Sequence, residues 1–152
     1  MKIAVLLTAA IVAVAPSPAP EREYRQRVVK ISDGDTFDVD AMVFGEPTRV
    51  RLLRIDTPEK GRFAHCPEED AAGRAATAKL TDLIASGGGI VWIKAKGKDQ
   101  YNRPLVEAEI SVRRKRVNLS DAMLASGLAA PYDGGRKSDW CLRLRGGPAN
   151  DN

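Results

Sequence analysis

Between Arg51 and Glu59 the chain brings an arginine, Arg51, to one strand end with Asp56, Thr57 and Glu59. These groups suit phosphate chemistry: carboxylates are hard oxygen ligands for a cation, and a guanidinium is a planar, permanently charged fork. Read as a strand, the stretch sets Leu53 and Ile55 on one face and delivers Asp56, Thr57 and Glu59 into a turn forced by Pro58. A plainer reading is a strand running into a helix, with Thr57 as N-cap and Pro58 in the first helical position. The rest of the chain decides between them.

The elements that must position these groups are visible on either side. Val28, Val29 and Ile31 form a strand, Ser32-Asp33-Gly34-Asp35 signals a turn, and Thr36 to Asp40 alternates as the returning strand. Four acids between Asp33 and Asp40 exceed what a hairpin needs. Phe44 to Pro47 closes that strand, and the next runs from Thr48 to Ile55. A helix is expected from Pro67 to Ser86, with Ala76, Leu80, Leu83 and Ile84 on one stripe and a Gly87-Gly88-Gly89 stop. Strands follow at Ile90 to Lys96 and around Val106, Ala108 and Ile110. The basic run Arg113 to Arg116 reads as a solvated hairpin tip or a backbone-docking patch. A second helix spans Leu119 to Ser126.

The 152 residues suit one globular domain with an aliphatic core, since aromatics make up only 5%. The net charge of +4 permits a polyanionic partner without requiring one. Met1-Lys2, the small or apolar run Ile3 to Ala15 and the Pro-rich stretch after it suit a secretory signal, with Ala13-Val14-Ala15 in small-x-small form. An uncleaved membrane tether is the alternative. Residues 1–23 are thus read as leader and linker, 24–133 as the domain and 134–152 as a C-terminal extension, disordered from about Gly146. After export, Cys66 and Cys141 either pair across a long loop or stay as two thiols. With His65 alone they are too few for a zinc site without carboxylates. A bridge between them is expected to matter to stability and not to catalysis.

Asp33-Gly34-Asp35-Thr36, followed by Arg51 to Glu59, resembles the staphylococcal nuclease (thermonuclease) family. Asp99-Gln100-Tyr101-Asn102-Arg103 is similar to the family's third motif, with Asn102 where glycine is common; asparagine tolerates the left-handed backbone such a turn needs. The resemblance covers about Arg27 to Tyr132. It implies an α+β, mainly β fold: a five-stranded OB-fold barrel with two to three packed helices. It also implies a calcium-dependent phosphodiesterase, a nuclease acting on DNA and RNA by cleaving on the 5′-oxygen side, so that 3′-phosphates remain. Asp35 and Asp56 match its metal-binding aspartates, and Thr57 the position that supplies a carbonyl. Arg51 and Arg103 match its phosphate-binding arginines, Glu59 its catalytic glutamate, and Tyr101 and Tyr132 its substrate-binding tyrosines. No stable protein partner is implied, and a monomer is expected.

No histidine falls in these motifs, which excludes a two-histidine ribonuclease scheme. The rival from another class is a non-catalytic OB-fold module that binds nucleic acid or protein. Such a module has no need of Asp35, Arg51, Asp56, Glu59 and Arg103 together.

Overall fold

The computed structural model describes residues 22–43 and 46–147. The expected leader and the last residues of the extension, 148–152, lie outside the described residues. The elements in chain order are β1 (Glu23–Ile31), β2 (Thr36–Val43), β3 (Glu46–Leu52), β4 (Ile55–Asp56), α1 (Pro67–Ser86), β5 (Ile90–Lys98), β6 (Pro104–Val112), β7 (Lys115–Asn118), α2 (Leu119–Ala125), β8 (Ala130–Pro131) and α3 (Trp140–Leu144), with a single 3-10 turn at Gly61–Phe63.

The main sheet runs β3-β2-β1-β5-β6-β7, and β3 also pairs with β6, which closes five strands into a barrel with β7 extending one edge. The closing pair is parallel, Arg51 with Leu105 and Leu52 with Val106; the other pairings are antiparallel. The expected mainly-β barrel is therefore present, with three helices.

Alternation explains the interior. Val91 and Ile93 of β5, and Val106, Ala108 and Ile110 of β6, point inward with Phe37, Val39, Val50 and Leu52. Ala76, Leu80 and Ile84 of α1 and Leu119 and Met123 of α2 complete this core. Each such Val, Leu, Ile or Phe stabilises the fold by about 1.5–3 kcal/mol relative to exposure. Helix α1 has the bounds its sequence implies, although Leu83 is only partly buried. Asn118 caps α2 by accepting from the Asp121 N–H.

One expected element differs. The strand does not continue from Thr48 to Ile55: it ends at Leu52, turns through Leu53 and Arg54, and resumes as β4. Arg54 takes a left-handed φ of 70°, and the Leu53 N–H leaves the alternation to reach Val106 O at 2.9 Å. β4 pairs instead with β8. Nor does a helix begin at Thr57, so the N-cap reading of Thr57-Pro58 is not realised. Pro67 opens α1, with Cys66 as N-cap.

Candidate active site

The turn between β1 and β2 carries Asp35, and the register of β2 on β3 sets Thr36 opposite Arg51. Leu52 N–H donates to Asp35 O at 2.8 Å, fixing the aspartate beside that arginine. Gly34 permits this approach: a Cβ there would stand 2.7 Å from Ala76 Cβ and 2.9 Å from Thr57 Oγ1. The turn at Leu53 and Arg54 then brings Asp56 back to the same guanidinium. Arg51 Nη1 donates to Asp35 Oδ1 at 2.8 Å, while its Nη2 lies 2.8 Å from Asp35 Oδ2 and 3.4 Å from Asp56 Oδ1. Ile55 O is a further acceptor for Nη2 at 3.3 Å.

Arg51, Asp35, Asp56 and Thr57 are all at least 94% buried. Burial pushes the Asp35 carboxyl up from 3.8 to about 7 against the downward pull of Arg51, with Asp33 adding to the rise. For Arg51, burial acts downward but the two aspartates outweigh it, so its pKa lies above the ordinary arginine value.

Glu59 is half-buried and sits in the irregular segment after β4. Its N–H donates to Oε1 of the buried Glu69, in the first turn of α1, whose Oε2 accepts the His65 N–H at 2.7 Å. Gly73, one turn along, allows the Pro58-Glu59 backbone to lie directly on the helix; a Cβ there would come within 2.7 Å of Pro58 O. The Glu59 side chain borders two cavities. One of about 700 Å³ extends past Lys60, Arg62 and the exposed Phe63. The other, of about 460 Å³, lies between Thr57, Glu69 and the C-terminal arm.

Arg103 enters from the start of β6, two residues before the Leu105 that pairs with Arg51. The Asp99–Arg103 turn holds it: Asp99 Oδ1 accepts the Arg103 and Tyr101 N–H groups at 2.9 Å, and Asp99 Oδ2 takes the guanidinium at 2.7 Å. Asn102 adopts φ 62°, as the turn requires. Each arginine has a tyrosine beside it. Tyr101 is exposed with its ring 5.3 Å from the Arg103 guanidinium, and Tyr132 lies 5.8 Å from that of Arg51.

This geometry agrees with the comparisons. The family described as "Staphylococcal nuclease homologue" matches residues 49–141. The chain belongs to the staphylococcal nuclease family. Protein ParB of Escherichia coli is 36% identical over 135 residues, covering 85% of this chain and 70% of its own length. An uncharacterized endonuclease of Haemophilus influenzae is 35% identical over 130 residues, covering 84% and 64%. A protein named micrococcal nuclease from Shigella flexneri is 34% identical over 131 residues, covering 83% and 68%. The protein is a hydrolytic nuclease, and the reading as a non-catalytic module is set aside. The family match also runs past Tyr132 to Cys141, farther than the motifs alone reach.

In this nuclease the added residues are not a loose tail. Cys66 and Cys141 form a disulfide, tying the start of α1 to α3. Trp140 is buried and its Nε1 donates to Asp56 Oδ2 at 3.0 Å. Lys137 Nζ lies 2.8 Å from Glu59 Oε1 and 3.3 Å from Asp56 Oδ1. Burial acts downward on this ammonium, but its bonds to Glu59 and Asp56 hold its pKa above the ordinary lysine value. Sequence reading missed Glu69, Lys137 and Trp140. A signal existed only for Glu69, at the third position of a helix whose first turn has orphan N–H groups nearby.

The residues also fit a family metal. Oxygens of Asp35 and Asp56 converge on one cationic nitrogen of Arg51, and both carboxylates offer the hard oxygens that a hard cation takes. Arg51 and Lys137 supply positive charge to these carboxylates here, and a cation held between Asp35 and Asp56 would take over part of that role. The neighbouring group Cys66, Glu69 and Cys141 is no such site, because both sulfurs are spent in the bridge.

Proposed function

We propose that this nuclease hydrolyses phosphodiester bonds in DNA and RNA with a calcium ion at Asp35, Asp56 and the Thr57 carbonyl, leaving 3′-phosphates. The observation that carries the reading is the gathering of two buried carboxylates, Asp35 and Asp56, round the Arg51 guanidinium while Glu59 lines two open cavities. When bound, calcium supplies positive charge to a phosphate oxygen and accepts loose oxygen coordination, which suits ligands drawn from a turn and a separate strand.

The chain's own residues do the rest. Arg51 and Arg103 grip non-bridging oxygens and stabilise the charge that builds on phosphorus. Glu59 takes a proton from water as the water oxygen bonds to phosphorus. The bond from phosphorus to the 5′-oxygen breaks, and that oxygen takes up a proton from solvent water and leaves as a hydroxyl, while the proton on Glu59 returns to solvent. Tyr101 and Tyr132 offer rings on which bases stack next to the arginines.

Export to the periplasm or medium is part of the same proposal, and a membrane tether through the N-terminal run is its variant. The run Ile3 to Ala15 and the Cys66–Cys141 bridge support it, since disulfides persist in oxidising compartments. The test is the chemistry of the ends. A labelled oligonucleotide digested by the full chain should yield fragments with 3′-phosphates, removable by phosphatase, and free 5′-hydroxyls. Fragments with 5′-phosphates would overturn the assigned direction of cleavage.

A further inference from the structure

The extension after Tyr132 returns across the site instead of leaving the domain. Residues 137–141 place an ammonium between Glu59 and Asp56, an indole N–H on the other oxygen of Asp56, and a sulfur on the Cys66 end of α1. Thus Asp56 has one oxygen toward Lys137 and Arg51 and the other toward Trp140. Glu59 has its N–H on Glu69 and its Oε1 on Lys137. Asp139 fixes the arm's own turn by accepting the Leu142 N–H at 2.9 Å, and Arg145 pairs with Glu68 on α1.

We propose that Lys137 and Trp140 are positioning residues of the nuclease centre, and that the Cys66–Cys141 bridge is the latch that keeps them seated. The inference rests on the nuclease reading above. Lys137 holds Oε1 of Glu59 and so turns Oε2 toward the attacking water. Trp140 restrains the rotation of Asp56. A glutamate on an irregular segment samples several rotamers, and a misplacement of a reacting group by about 1 Å can lower a rate by about a hundredfold. An ammonium that meets two carboxylates, and an indole, both brought from about 80 residues away, are more than a surface ion pair supplies. The latch itself is opened by a dithiol, which gives two electrons and two protons to the bridge; Cys66 and Cys141 become thiols and the dithiol closes to its own disulfide.

The test uses the full oxidised chain and a fluorescent oligonucleotide. Lys137→Ala should lower kcat by about tenfold or more with KM within about threefold, and Lys137→Arg should recover most of the loss. In a Glu59→Gln background the added Lys137→Ala should cost almost nothing, since its partner's role is already gone. The dithiol-treated protein, assayed well below its melting temperature, should show the same fall in kcat. A kcat for Lys137→Ala at or above wild type overturns the proposal. So does a loss confined to KM with weaker oligonucleotide binding in chelator, which would make Lys137 a substrate contact. A second readout needs no activity: the Trp140 indole N–H resonance should shift in Asp56→Asn while that of Trp92 stays in place. An unmoved Trp140 signal also overturns it. A wild-type chain that cleaves nothing would defeat the nuclease reading, and the indole measurement would still decide the contact.

Discussion

At the scale of single residues, the site is a set of charges whose places are fixed by backbone hydrogen bonds. Glu59 gains nothing from its sequence neighbours alone; Glu69 holds its N–H and Lys137 its carboxylate. Replacing Glu59 with Gln keeps volume and removes the base, and replacing Arg51 or Arg103 with Lys removes a planar fork. Each change should lower turnover by at least about a hundredfold with folding retained, as kinetics and circular dichroism on the same sample will show. Asp35 makes a different prediction. Its folded pKa of about 7 lies above the usual 3.8, so folding takes up a proton between those values. Its contribution to stability is therefore fully present at low pH and lost as pH rises through about 7. In chelator, the melting temperature of the wild type should fall relative to Asp35→Asn as pH goes from about 4 to about 8. A rising difference would show that Arg51 outweighs burial.

At the scale of elements, the motif strand was legible and its break was not. Arg51 and Ile55 looked like parts of one strand, with Asp56 in the turn beyond it, because Leu53 and Ile55 keep the alternation. The left-handed Arg54 interrupts it, since Leu53 and β4 find their partners on β6 and β8, pairings that no local pattern encodes. Helix α1 was readable from its stripe, yet its part in the site was hidden in one glycine. At Gly73 an alanine should stabilise an exposed helix by about 1 kcal/mol. Here the added methyl meets the Pro58 and Glu59 backbone. Gly73→Ala should instead destabilise by about 1–3 kcal/mol and lower kcat, measured by denaturant titration and assay. A more stable, fully active variant would mean that the loop does not rest on α1.

At the scale of the whole molecule, a closed barrel presents its parallel seam, where Arg51 meets Leu105, as the floor for both arginines and both aspartates. The C-terminal arm lines the cavity beside Asp56, Thr57 and Glu59. The arm was the least legible part: Lys137, Trp140 and Cys141 lie some 80 residues from their partners, and a bridge could be expected without its place being known. The bridge is expected to matter to stability, and its place beside Lys137 and Trp140, which touch Glu59 and Asp56, is what the proposed latch adds to that expectation. The central claim is a hard-cation nuclease with Glu59 at its centre. It is tested most directly by incubating the purified protein with single-stranded DNA in chelator, then in calcium or magnesium at millimolar concentration. Cleavage should vanish in chelator, return with calcium and return far less with magnesium, because magnesium demands a tighter octahedron. Full cleavage in chelator, or equal rescue by magnesium, would contradict the account.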